Sequence, residues 1–503
     1  MLNRCHHMLW AGCMAVCTAL PQGAAAQRDM QSYAALQAQL TDLDAALTDV
    51  AGTILSVSDL PETATQVIPG ENAAMRPAMD AQQMAPASIT MVDLRVALLQ
   101  LAFAVGGNDQ IPLVRAQNTQ APQVIGIRGG SVDLATLQEW AAEQPGAIFD
   151  GDTLRRPIII FQDGRLALKA GDQLTLSRED GAFVVNLGKL TAQNAMILGT
   201  AEASPGDDSF APFVTTVGTG MAQVSDSLIE NLGFGSTIAF SGFSVVNRGL
   251  YAPVGTSFLT DSVLRDVGVV GFDSTEDTVI AGNLFTGGDA GGLELRGVER
   301  VQVSENIFAA NEDGSALLVT DGSTGGTIAS NTILSSAGTG IIVNKGSDNT
   351  VITHNVIWNA AGSGVTIADS DCGYLDANIA IENRRKGIEL RSSQRSAVVD
   401  NSLMGNRSAG LFISDQPQGT ETTVRGNAFI GNRIGLSSAS ADHVQLYGND
   451  FTNQFPRFLD GDFASDSLAI MADLRGQQSL TLTATGIASF TGAPATCTYK
   501  LEG

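Results

Sequence analysis

The chain has 503 residues, 55 of them glycine, and 28 Lys+Arg stand against 52 Asp+Glu for a formal net charge of −24. So large an acidic excess argues against a general nucleic-acid or anionic-membrane binder, while leaving room for a local basic groove. The length allows several domains, or one elongated body if the chain is built of repeats.

Residues 1–26 contain Arg4, an apolar run from Met8 to Leu20 and Ala24-Ala25-Ala26 before Gln27. This is the pattern of a signal peptide, and no later segment is apolar for long enough to span a bilayer. Export to a periplasm is expected. Removal of the signal leaves Cys372 and Cys497, either paired as a disulfide or buried as two free thiols. In residues 27–60, Tyr33, Leu36, Leu40, Leu43, Leu47, Val50 and Ile54 alternate spacings of three and four, which predicts an amphipathic helix. Two roles are open for it: docking a partner in a periplasmic secretion or biosynthesis complex, or packing on its own domain. Residues 61–120 read as a linker rich in Pro, Ala, Met and Gln, followed by a helix over Val92–Val105 that suits a cap on a solenoid end.

From residue 121 to residue 463 short strands dominate, and one phrase recurs. Asn283, Asn306, Asn331, Asn355, Asn378, Asn401, Asn427 and Asn449 follow one another at 23, 25, 24, 23, 23, 26 and 22 residues. Each is followed by a strand led by a small residue, such as Gly292-Leu-Glu-Leu, Gly340-Ile-Ile-Val or Gly387-Ile-Glu-Leu. Period-2 strands of this length, repeating near 23 residues with Gly and Asn at the bends, predict an all-β chain: a right-handed parallel β-helix. The asparagines are expected to stack inside successive coils. Residues 464–503 are expected to close the C-terminal end with strands.

Stacked coils align equivalent side chains, so the outward positions of the Gly-led strands line a furrow suited to a linear polymer. Those positions hold Glu294, Arg296, Glu389 and Arg391, with Lys345, Asp369 and Asp371 just beyond the strands. Arg384, Arg385, Lys386, Arg391 and Arg395 form one basic cluster, able to pair with carboxylates along a uronic-acid chain. The same cluster also reads as a solvated corner with Glu382 and Glu389 as local partners. Asp369, Asp371 and Glu389 offer carboxylates for cleavage of glycosidic bonds. The exported chain keeps only His354 and His443, too few for a multi-histidine centre, so neither metal nor cofactor is expected.

Leu176-Ser-Arg-Glu-Asp-Gly-Ala-Phe-Val-Val-Asn-Leu-Gly-Lys-Leu190, Phe210-Ala-Pro-Phe213 and Leu232-Gly-Phe234 resemble the opening of the β-helix in the periplasmic mannuronan epimerase family of alginate biosynthesis. Asn383-Arg-Arg-Lys-Gly-Ile-Glu-Leu-Arg-Ser392 is similar to a late coil of the same family. The resemblance implies a carbohydrate-active β-helix that inverts carbon 5 of mannuronate within the polymer. That chemistry needs a cation for the carboxylate, a base, and a proton donor on the opposite face. The family's Asp-Pro-His-Asp signature falls on Glu294-Leu295-Arg296-Gly297, and its carboxylate-neutralising Arg falls on Asp321. Arg296 replaces the histidine base, and a guanidinium stays protonated. The resemblance therefore transfers fold, compartment and ligand class, with Glu294 and Arg296 at the catalytic positions in altered form. The expected binding residues are Arg384, Arg385, Lys386, Glu389, Arg391, Arg395, Lys345 and Asp369. The expected function is modification of an acidic, alginate-like exopolysaccharide during its biosynthesis or export. The alternatives are a scaffold that binds and protects the polymer without epimerising it, and a lyase or hydrolase of another acidic glycan.

Overall fold

The computed structural model describes residues 30–50, 52–60, 76–105, 110–117, 121–203, 206, 209–234, 237–249, 253–288, 292–309, 313–484 and 497. The signal-peptide reading of residues 1–26 lies outside them. Each regular coil sends one short strand into each of three sheets, which hold 15, 14 and 13 strands and pair almost entirely in parallel. The strands Leu293–Arg296, Gln302–Ser304 and Ile307–Ala309 make one coil, and Leu317–Thr320 begins the next directly above. The fold is the expected right-handed parallel β-helix, the hand that twisted parallel strands favour.

Inside each coil the apolar positions stack residue upon residue, as in Leu293, Leu317, Ile341, Val365, Ile388, Leu411 and Leu436 of the largest sheet. The bends are held by amides. Asn306 Nδ2 donates to Asn331 Oδ1 at 2.9 Å and to the Ile280 carbonyl at 2.9 Å, while its own Oδ1 accepts from Asn283. This pattern continues through Asn355, Asn378, Asn401 and Asn427 to Asn449. A second ladder, not expected from the sequence, runs through Asn383, Asn406 and Asn432 to Gln454.

The ends differ from the expected capping. The helix Leu134–Ala142 plugs the N-terminal end, with Leu134, Leu137 and Ala141 in the interior core. The helix Leu94–Val105, expected there, instead lies on the outer face of the largest sheet, burying Leu94, Ala97 and Leu101 against Val124, Ile159, Phe183 and Phe213. Its nearly all-apolar sequence fits a sheet face as well as a core mouth, so pattern alone does not separate the two sites. Residues 76–87, read as linker, run along the 14-stranded sheet. There Arg76 bridges Asp261 and Glu305, and Lys189 holds Asp80 at 2.6 Å. The C-terminal end is closed by the helix Ser467–Ala472 and the antiparallel strand Leu480–Thr483, which pairs with His443–Tyr447. Cys372 and Cys497 form a disulfide.

The N-terminal helix Met30–Val50 packs on the third sheet of its own solenoid. Leu40, Leu43, Leu47 and the following Ile54 are buried against residues that include Leu334, Trp358, Ile381 and Met404. Tyr33 Oη donates to Glu382 at 2.9 Å, and Arg265 Nη1 donates to the Ile54 carbonyl at 3.0 Å. Burial and this bond to Glu382 push the Tyr33 hydroxyl well above the ordinary tyrosine range. The helix's apolar stripe is thus occupied within the chain, as the reading that it packs on its own domain expects. No helix among the described residues is long and apolar enough to cross a membrane. Because Leu43 is fully buried, Leu43→Ala is expected to lower unfolding stability by about 2–5 kcal/mol. Chemical denaturation checks this; a change under about 0.5 kcal/mol, the value for an exposed site, would reject the packing.

Candidate functional site

The outward face of the largest sheet changes character along the axis. One register column runs Ile159, Val185, Thr215, Ser244, Gly271, Glu294, Leu318, Ile342, Thr366, Glu389, Phe412 and Ser437. Its first members are buried beneath the helix Leu94–Val105 and the Phe210, Phe213 and Phe240 cluster. The cover ends at Gly271, where a Cβ would collide with Ile238. Glycine is required there to let the roof sit down. From Glu294 onward the face is open to solvent, and it is here that charge appears.

At the first open coil Arg296 Nε donates to Glu294 Oε1 at 2.6 Å, both side chains being partly exposed. Four coils on, Lys386 Nζ lies 2.9 Å from Glu389 Oε1 and 4.5 Å from the Phe412 ring centroid, while Ser363 Oγ donates to Glu389 Oε2 at 3.0 Å. Arg391 stands at the far end of the same strand, 3.3 Å from Asp415, and Lys345 pairs with Asp321 at 3.1 Å. These residues share one face.

The basic cluster of the sequence is therefore spread out. Arg384 and Arg385 occupy the corner before the strand Lys386–Arg391, and Arg395 lies in the corner after it. The strand between them spans roughly 17 Å at 3.3 Å per residue. Arg395 belongs to the bend where its carbonyl meets Cys497, away from the open face. The carboxylates proposed for hydrolysis are not brought together either. Asp371 accepts from the Gln394 backbone at 2.7 Å and from Gln394 Nε2 at 3.2 Å, a bracket that holds the bend. Burial raises its pKa, against the effect of that backbone bond. Asp369 sits past the strand end at positive φ, and Glu389 is tied to Lys386. His354 bonds Thr353 on another sheet, and His443 pairs with Asp442 there.

Sequence reading missed Arg407 and Arg433. Both are exposed and follow the second amide ladder directly, as Arg384 does: the signal is the recurring pair Asn383-Arg384, Asn406-Arg407, Asn432-Arg433.

Residues 237–384 match a family model described as a right-handed β-helix region, and residues 346–461 match one described as a periplasmic copper-binding protein (NosD). The matched coils do not fit a copper centre: His354 and His443 lie apart, Cys372 is oxidised, and no metal-like group of His, Cys, Asp and Glu occurs among the described residues. A mannuronan C5-epimerase of Pseudomonas aeruginosa is 31% identical over 382 residues, 69% of this chain and 69% of that protein. The chain belongs to the mannuronan C5-epimerase family. The Azotobacter vinelandii mannuronan C5-epimerase AlgG is 30% identical over 344 residues, so the chain spans 64% of that relative's length. Among solved structures, the periplasmic alginate epimerase AlgG superposes with a TM-score of 0.60 at 20% identity, covering 77% of this chain and 98% of that one. That likeness supports the fold.

On the open face Glu294 and Arg296 are bonded to each other. Asp321 is bonded to Lys345 one coil later, at 3.1 Å. The Lys386–Glu389 pair is the most enclosed ion pair on the open face, each side chain 17% exposed. Lys386→Met and Glu389→Gln, combined in a double-mutant cycle, are expected to couple by about 1 kcal/mol or more in thermal or chemical unfolding. Additive effects would mean that Lys386 is not held by Glu389.

Proposed function

We propose that this chain acts on an acidic, alginate-like exopolysaccharide in the periplasm, as a mannuronan-epimerase-type protein that lays the polymer along the open half of the largest sheet. The observation that carries the reading is the change at Glu294, where a covered apolar face becomes an open one bearing Glu294 and Glu389 in one column, with Arg296, Lys386 and Arg391 on the same strands. A furrow parallel to the solenoid axis presents the same kind of position once per coil, about every 4.8 Å, which suits a chain of repeating sugars. The names of the relatives, mannuronan C5-epimerases, support the substrate class. The signal-peptide pattern of residues 1–26 and the periplasmic AlgG structure support the compartment.

Inversion at carbon 5 requires that the sugar carboxylate be neutralised while the adjacent proton leaves one face and another arrives from the opposite face. Arg296 and Arg391 are the cations the open face offers for the carboxylate. Glu294, Glu389 and Lys386 are the groups it offers for the proton. One observation favours a second reading, in which the groove binds and shields the polymer without inverting it. At the signature position the imidazole is replaced by a guanidinium bonded to Glu294, and neither His354 nor His443 reaches this face.

The two readings separate in one assay: polymannuronate incubated with the protein in deuterated water, followed by NMR at carbon 5. The epimerase reading expects deuterium to enter, and Glu294→Gln to reduce the rate by about two orders of magnitude or more. Retained binding without deuterium leaves only the shielding role. Absence of binding to any uronate polymer rejects both.

A further inference from the structure

A column of arginines beside the groove has no task in the fold. Arg384, Arg407 and Arg433 occupy equivalent positions in three successive coils, since Arg407 N donates to the Asn383 carbonyl and Arg433 N to the Asn406 carbonyl. All three are exposed, and none has an ion-pair or hydrogen-bonded side-chain partner among the described residues. Elsewhere the described arginines are commonly held by carboxylates, including Arg76, Arg155, Arg248, Arg265, Arg296 and Arg300. In a chain with net charge −24 that has carboxylates to spare, three aligned cations left bare are out of keeping with their surroundings.

The bend itself does not need them. The amides of Asn383, Asn406 and Asn432 close it from inside, and the coil before carries Ala361 at the same position. Past the ladder the position after Gln454 is Phe455, 79% exposed. Cations stacked about 4.8 Å apart repel one another, so without a ligand the column costs the fold stability. An anion with one negative charge per repeat unit would reverse the sign of that interaction.

We propose that Arg384, Arg407 and Arg433 form a carboxylate-reading rail along the leading edge of the groove, with Phe455 as an apolar platform for a sugar face at its end. The proposal rests on the reading that the groove takes an acidic polymer, and adds where its carboxylates are read. A guanidinium meets a carboxylate with two parallel hydrogen bonds, so a column of them selects uronates over neutral sugars of the same backbone. On the opposite edge Arg391 is offered to the reacting sugar, and Lys345 and Arg391 there face Asp321 and Asp415, so the exposed column of three is the edge left to read carboxylates along the rest of the polymer. Away from the reacting sugar the rail therefore makes the groove one-sided: carboxylates toward Arg384, Arg407 and Arg433, hydroxyls toward the acidic edge. Each exposed contact is weak alone, and the rail works by engaging several at once.

The test compares the full chain with the triple variant R384Q/R407Q/R433Q for binding polymannuronate and neutral β-mannan across a range of salt concentrations. The rail predicts that the triple variant binds polymannuronate at least about tenfold more weakly at low salt and with a shallower salt dependence. Its thermal unfolding is expected to be unchanged or slightly raised, which separates lost binding from lost folding. Replacement by lysine at all three positions should restore the salt dependence but only part of the affinity. The rail is overturned if the triple variant binds like the wild type while R296Q/R391Q does not; in that outcome the groove reading survives. If the wild type binds polymannuronate no better than the neutral polymer, groove and rail fall together.

Discussion

An asparagine sealed inside a stack of coils has an amide that must be satisfied without water, and in this molecule its partners are its counterparts above and below and nearby backbone carbonyls. Asn283 to Asn427 meet that demand by donating to the next amide in the column, at 2.9–3.0 Å, and to a backbone carbonyl of a neighbouring coil, and Asn449 ends the column on the Val424 carbonyl. The arrangement works only if every coil lies in register with its neighbours. A slip of one residue would move each amide off its partner and turn the apolar side chains outward. Register, once fixed from inside, is inherited by the outer surface. The columns of the groove face and of its leading corner are the external consequence of an internal hydrogen-bond requirement.

What the solenoid then does along its axis is decided by what lies on top of it. Over the early coils a helix and a phenylalanine cluster exclude solvent from the largest sheet, and the outward residues there are small or apolar. At Gly271 the roof touches the backbone and stops. Charged side chains follow at once, because beyond this point they can keep their contact with water. The same face thus serves as a core in one half of the molecule and as a surface in the other. The N-terminal helix performs the matching task on the third sheet, burying Leu40, Leu43 and Leu47.

Much of this was legible in the residues. The recurrent asparagines and the Gly-led strands encode period, strand length and the direction of each side chain, so Glu294, Arg296, Glu389 and Arg391 could be placed on one face in advance. The residues from Arg384 to Arg395 share one coil, but nearness in sequence is not nearness in a solenoid: a strand carries its two ends to opposite corners. The arginines that do share a corner are 23 and 26 residues apart. The apolar helix over residues 94–105 has no polar face to say what it covers, and tertiary packing sent it to the sheet rather than to the open end. Asp371 looked available for chemistry, whereas its carboxylate is spent on the Gln394 backbone, a contact that spacing does not reveal.

The proposed function centres on a polymer held along one open face of the largest sheet. A crystal structure with a bound mannuronate oligomer tests that claim most directly. The account predicts sugar carboxylates directed to the edge formed by Arg384, Arg407 and Arg433, with the chain running parallel to the solenoid axis along the column from Glu294 to Ser437. An oligomer seated on either of the other two sheets, or across the coils instead of along them, would contradict it.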